Sequence, residues 1–369
     1  FGDRRQGSPG IRLQTFCEHT FEFRVLVDAI ATYNYVELPK QPEIAIIPGP
    51  PARYKAIMPT AQAVGQTFKL RIKGEDGWGN PSNQCDGTFA LKSSRPVDGL
   101  PESVTFTKGE FASIIDGLSV TEPGDLTIDL LDGDGATVCT SNPMRVSAEA
   151  QLLPCWGDLH GQSEETIGTN SARDFYEFGR DKAFLDVCVH QGNDFQITTE
   201  FWEHLNVLSK EFTKDGEFIV FPGWEWSGNT GLGGDRNVLH MKEGRQIHRS
   251  SHALVDDLSD VDTDANSADD LFASLEGEDC MVFAHIGGRY ADINNGHDVR
   301  LERAVEVHSA WGTFEWLIHD AFELGYRVGI VSNSDGHKGR PGASHPGATK
   351  FGSYGGLTCN LAPEFSRAG

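Results

Sequence analysis

Six apolar runs in the second half of the chain lead into side chains of the metal-binding types. Leu152-Leu153-Pro154-Cys155-Trp156-Gly157 runs into Asp158 and His160, and Phe184-Leu185-Asp186-Val187-Cys188-Val189 into His190, Asn193 and Asp194. Phe218-Ile219-Val220-Phe221-Pro222-Gly223 leads to Glu225, and Cys280-Met281-Val282-Phe283-Ala284 to His285. Ala304-Val305-Glu306-Val307 leads to His308, and Val328-Gly329-Ile330-Val331-Ser332-Asn333 to Asp335 and His337. Imidazoles and carboxylates without thiolates suit a borderline or hard divalent ion such as Zn²⁺, Mn²⁺ or Fe²⁺. Such an ion makes hydroxide from water near neutral pH, the chemistry of a metal-dependent hydrolase. More donors than the four one zinc needs point to two ions, or to one ion with acid-base groups beside it. A single strand-end histidine is more often a hydrogen-bonded structural residue. Six ligand-bearing runs at one end of a parallel sheet would converge on one face.

Within this set His160, His190, Glu225, His285, Asp335 and His337 are the candidate ligands. Asp158, Gln162 and Asp194 are candidates for weak ligation or for orienting a ligand. His308 or Asp335 would move a proton, although Glu306 shares the strand parity of His308 and could serve equally. His19, His204, His248, His252 and His319 fall in helical, loop or N-terminal settings, and His240, His297 and His345 stay undecided. Arg236, Arg289, Lys338 and Arg340 lie in loops near the ligand positions, or are ordinary solvated charges. Read together they favour an anionic small-molecule substrate, with Arg289 holding developing negative charge. Trp156, Trp224, Trp226 and Trp311 near the same ends fit packing better than stacking on a substrate.

The elements that must position these groups follow from hydrophobic period. Beyond residue 150, strand, loop and helix alternate, with helices expected over 171–180, 201–212, 267–275 and 313–324, the last stopped by Gly325. That alternation predicts parallel strands covered by helices, in an open sheet or a barrel. Residues 1–150 carry short alternating runs such as Thr67-Phe68-Lys69-Leu70-Arg71-Ile72, separated by turns such as Asp132-Gly133-Asp134-Gly135. They predict a β-sandwich-like domain ahead of an α/β domain over 151–369. The crowded aspartates at 256–270 imitate a calcium loop, but Ala265 and Leu271 stand where glycine and glutamate are needed, so a solvated acidic loop is expected.

With 31 Lys and Arg against 54 Asp and Glu, the formal charge of the 369 residues is −23. An acidic surface of this size disfavours nucleic acid, and no apolar run reaches the roughly 18 residues of a membrane span. A hydrophobic content of 38% with 42 glycines is that of a globular chain rather than a disordered one. Seven scattered cysteines without a C-x-x-C pair read as reduced thiols, which suits the cytoplasm. The absence of an initiating Met points to a fragment or processed form, and the last residues suggest that sequence is missing at the C-terminal side.

The ordered strings Asp158-Leu159-His160-Gly161-Gln162-Ser163, Pro222-Gly223-Trp224-Glu225, Ala284-His285 and Ser334-Asp335-Gly336-His337 resemble the successive motifs of the PHP (polymerase and histidinol phosphatase) metallohydrolases. The strings around His160, His190-Gln191-Gly192-Asn193-Asp194 and Asn333 to Gly342 resemble a bacterial branch with N-terminal β domains. The resemblance covers residues 152–369. It implies a distorted (β/α)7 barrel, up to three metals and phosphoester hydrolysis, with His160, Glu225, His285, Asp335 and His337 as ligands. Gln162 replaces a usual histidine, and His190, Asn193 or Asp194 stand where Asp-His is usual, so one or two ions are expected. Amide, ester or carbon–carbon hydrolysis on the same centre is an alternative, as is a catalytically silent binding module.

Overall fold

The computed structural model describes residues 4–149, 152–342 and 354–369. The strands before residue 150 and those after it pair in separate sheets. In the first half, Phe68–Glu75 lies between Arg53–Ile57 and Ser113–Leu118, antiparallel to both. A four-stranded sheet runs Thr137–Thr140, Ile128–Leu131, Gly87–Ser93, Ser103–Phe106. The alternation of the Phe68 run turns Phe68, Leu70 and Ile72 inward, where they meet Phe106, Leu118, Leu130 and Met144 in one core.

The second half departs from the expected barrel. Leu153–Asp158, Val187–Val189 and Ile219–Phe221 do run parallel, but Thr358–Ala362 closes that sheet antiparallel to the first of them. The chain then passes through Gly223–Ser227 and returns directly along Asp235–His240, antiparallel and without a covering helix between them. Cys280–Ala284 is antiparallel to that strand, Glu302–Ser309 and Gly329–Ser332 follow in parallel, and Gly312–Thr313 pairs antiparallel with Glu302–Ser309. Isolated bridges, Gly161 with Gly336 and Asn193 with Glu225, link the two sheets. Over the described residues the chain as a whole is richer in strand than in helix, and its second half is built on two sheets that form no closed (β/α)7 barrel. The sequence misleads because Asp235-Arg236-Asn237 reads as a polar loop, whereas all six residues of Asp235–His240 are buried.

Among the described residues there are four α-helices, over Ala172–Glu177, Thr199–Phe212, Ala268–Ser274 and Glu315–Glu323. Ser171 with Asp174, and Ser267 with Asp270, form reciprocal capping boxes at two of the starts. The first helix runs on as a π-helical turn over Phe178–Ala183. No described helix is long and apolar enough to cross a membrane. All seven cysteines are free.

One face of the second sheet packs on helices. Trp224, Trp226 and Val238 are buried there with Leu205, Leu208 and Leu271, so the tryptophans are core residues. Strand alternation then forces Glu225 to the opposite face. Phe283 and Ala304 occupy that inner face with Val189, Ile219 and Leu239, and the same parity carries His285 and Glu306 inward.

His240 lies on the helix side, its ring stacked on Trp224 with centroids 5.1 Å apart. Burial pushes its imidazole down to about 4. A folded-state value below the unfolded one contributes stability that is present above about pH 6.5 and drains away as the pH falls toward the folded value. Between about pH 7 and about pH 4.5 this single group should remove about 2–3 kcal/mol. Urea unfolding of His240→Phe should show that much less acid sensitivity than the wild type; equal sensitivity would discount the residue.

Candidate metal centre

The centre forms where the inner faces of the two sheets meet. His160 follows the strand Leu153–Asp158 and is fully buried. Its Nδ1 lies 3.2 Å from both carboxylate oxygens of Glu306, and its Nε2 lies 3.4 Å from Asp335 Oδ1 and 3.5 Å from Glu225 Oε2. Glu306 thus fixes the ring with a proton on Nδ1 and points Nε2 at Glu225 and Asp335. His285 stands edge-on to His160, ring centroids 4.5 Å apart, with Nε2 3.5 Å from Glu225 Oε1. Asp235, which the sequence did not mark, completes the set from the strand beside Glu225. Two overlapping groups result, His160–His285–Glu306 and Glu225–Asp235–His285, each with donor atoms within 4.8 Å of one another.

The backbone around this centre is tightly fixed. Asp158 accepts from the Ser334 N–H at 2.9 Å and the Gly342 N–H at 2.7 Å, so it ties the Asp335 loop to the His160 strand. The Asp335 N–H donates to the His160 carbonyl at 2.8 Å. Asp335 adopts φ 46°, a left-handed conformation that aspartate tolerates better than most residues. Asn333 accepts from the Leu159 N–H and donates to Glu306, coupling backbone and carboxylate. Gln162 donates to Glu225 Oε2 at 3.2 Å, an orienting contact rather than ligation.

Charge is balanced locally. Burial works against the charged form of His160, yet Asp335 and Glu306 beside it raise it well above the ordinary value. Burial alone would raise Glu225; the imidazoles of His160 and His285 beside it carry it below the usual carboxylate range. Asp235 is pushed up to about 7 by burial and by the charge of Glu225. Arg289 answers both acids. Its Nε donates to Asp235 Oδ1 at 2.6 Å and its Nη2 lies 3.7 Å from Glu225 Oε1. His337 sits at the rim, Nε2 3.9 Å from Asp335 Oδ1.

Other expected site residues lie elsewhere. His190 donates to Ser163 Oγ at 2.8 Å while its Nδ1 accepts from the Gly192 N–H, so both nitrogens are used outside the two groups. Burial drives it down to about 3. His308 turns to Thr313 Oγ1 and the Tyr354 carbonyl, because the ladder shifts register between Glu306 and His308; Glu306 takes the inner place. Asp194 accepts from the Ser227 and Ser250 backbone, joining two loops. Of the four cations, three are committed away from the centre. Arg236 is buried on Glu302 at 3.0 Å, on the helix side of its strand. Arg340 donates to Asn80 Oδ1 and the Gly79 carbonyl in the first half of the chain. Lys338 stands 4.9 Å over the Phe16 ring.

His240 and His297 pack on Trp224 and Tyr326 and lie outside both groups. His345 lies outside the described residues. In the acidic loop, Asp260 and Asp264 each lie 2.9 Å from a nitrogen of His252, and Asp260 also holds Arg249, so these acids close a loop.

No family model matches the chain. Uncharacterised proteins of Chlamydia resemble it. One from Chlamydia pneumoniae is 24% identical over 312 residues, 82% of this chain and 48% of that protein. One from Chlamydia muridarum is 23% identical over 320 residues, 84% of this chain and 49% of its own length. A third, from Chlamydia trachomatis serovar D, is 25% identical over 253 residues, 67% and 39% of the two chains. The chain spans about half the length of these relatives or less.

Proposed function

We propose that the chain is a metal-dependent hydrolase holding one or two divalent ions, Zn²⁺, Mn²⁺ or Fe²⁺, and acting on a small anionic ester of the phosphoester type. The observation that carries this reading is a set of buried donors with no hydrogen-bond partner among the described residues: His160 Nε2, both ring nitrogens of His285, and Asp335 Oδ2. Leaving so many polar atoms unpaired costs several kcal/mol unless something binds them. Two imidazoles with carboxylates match the chemistry of these ions, so the residues fit the group. The likeness of the ordered motifs to PHP metallohydrolases supports the same reading.

His160, Glu225, His285 and Asp335 would hold the ion, with Asp235 available for a second. When bound, the ion supplies an electrophile for the ester oxygen and acidifies water. Glu306 keeps His160 in the binding tautomer. Arg289, anchored on Asp235 at the rim, counters negative charge that develops on the substrate. His337 is the rim imidazole placed to move a proton.

Elemental analysis and phenyl phosphate hydrolysis test this. Glu306→Ala should weaken Mn²⁺ or Zn²⁺ binding about 10–100-fold, as expected for loss of the carboxylate behind a ligating histidine. His308→Ala should leave metal content unchanged. A wild-type protein that retains no divalent ion would overturn the reading.

A further inference from the structure

We infer that the cleft beside the centre holds a hydroxyl-bearing, carbohydrate- or polyol-like part of the substrate; the inference rests on the hydrolase reading above. The cleft, about 270 Å³, is lined by Phe195, Ser227, Asn229, Ser251, Asn266 and Arg289 among others. Two of its lining side chains border the centre: Ser227 Oγ lies 3.5 Å from Glu225 Oε1 and Arg289 Nη2 reaches the same oxygen at 3.7 Å.

Its chemistry is that of uncharged hydroxyls and amides. No carboxylate lines it, and its one cation is already partnered by Asp235 at 2.6 Å. Arg236, Lys338 and Arg340, which would have made the surroundings strongly cationic, are committed elsewhere. Ser227 Oγ is held between Asn193 and Glu225, and the Asn266 amide donates to the Ser250 carbonyl, so the Ser251 hydroxyl and the Asn229 amide are the groups that offer donors and acceptors together, as a hydroxyl-bearing ligand requires, where phosphate alone needs only donors. The Asn229 side chain makes no cap bond to the short helical turn that follows it, which leaves its amide for a ligand. Phe195 gives an apolar face, with the Arg289 guanidinium 5.4 Å from its ring.

The walls are also fixed before anything binds. The buried Asp194 carboxylate accepts from the Ser227 N–H at 3.3 Å and from the Ser250 hydroxyl at 3.0 Å, clamping the two loops that face each other across the cleft. A prebuilt polar cleft avoids the ordering cost that a loose one would incur on binding.

The test compares glycerol phosphate and a hexose phosphate with phenyl phosphate, in the wild type and in Asn229→Leu/Ser251→Val. The wild type should prefer the hydroxyl-bearing esters in kcat/KM, and the double variant should lower that preference about tenfold through KM, as expected for losing two neutral hydrogen bonds. Equal losses on all three esters, or a wild-type preference for phenyl phosphate, would overturn the inference. If no ester is turned over, the hydrolase reading fails, and the cleft is then judged by saturation-transfer NMR with the hexose phosphate. Binding that weakens in the double variant upholds the cleft; no binding, or binding equal in both proteins, defeats it.

Discussion

His285→Ala is expected to remove tight divalent-ion binding altogether, with a loss of affinity of more than about 100-fold, beyond that of an orienting residue. His285 is the one residue common to both donor groups, and among the described residues neither of its buried ring nitrogens has a hydrogen-bond partner. Losing it strips one donor from each group at once, whereas Asp235→Asn touches only the Glu225 side. Titration of the apo protein with Mn²⁺ or Zn²⁺, read by calorimetry, separates the two. A His285→Ala protein that binds ions as tightly as the wild type would place the centre elsewhere. Hydrolysis should fall in parallel with ion content for every variant of the set.

Arg236→Ala should cost stability rather than substrate affinity. Arg236 and Glu302 are both buried, 3.0 Å apart, and the guanidinium also donates to the Gly296 carbonyl. His297 bonds the second Glu302 oxygen at 2.6 Å and stacks on Tyr326 at 3.7 Å. Removing one partner of a buried pair strands the other charge, at a cost of about 3–5 kcal/mol. Denaturant unfolding should show that loss, and the Arg236→Ala/Glu302→Ala double variant should recover part of it. A rise in KM with unchanged stability would instead make Arg236 a substrate contact, the role its position in the sequence suggested.

These cases show what residue order can and cannot convey. Ligand types at the ends of apolar runs were legible, and His160, Glu225, His285 and Asp335 do meet. Helix starts were legible where a side chain caps them, as Ser267 does with Asp270. Asp235 was not, because its strand has no apolar alternation to announce it; its burial comes from ion pairs and a ladder with Glu225's strand. The choice of Glu306 over His308 was also hidden, since both share parity until a register shift divides them. Arg340 follows His337 closely in sequence, yet Gly339 takes φ 59° and the chain bends toward Asn80. Proximity in sequence to a ligand is therefore a poor guide to proximity in space once a loop contains a left-handed glycine.

The antiparallel strand Thr358–Ala362 has a consequence for how the molecule comes into being. It pairs with Leu153–Asp158 from Leu153 with Ala362 to Gly157 with Thr358, partners about 200 residues apart. Closing so long a loop is slow, because entropy must be lost before the contacts repay it. During synthesis the His160 strand therefore waits with an open edge until residue 362 has emerged. Unpaired strand edges are where growing chains mispair with one another. Yield in a rapid expression host should thus depend on translation rate and temperature more than on the equilibrium stability of the finished protein.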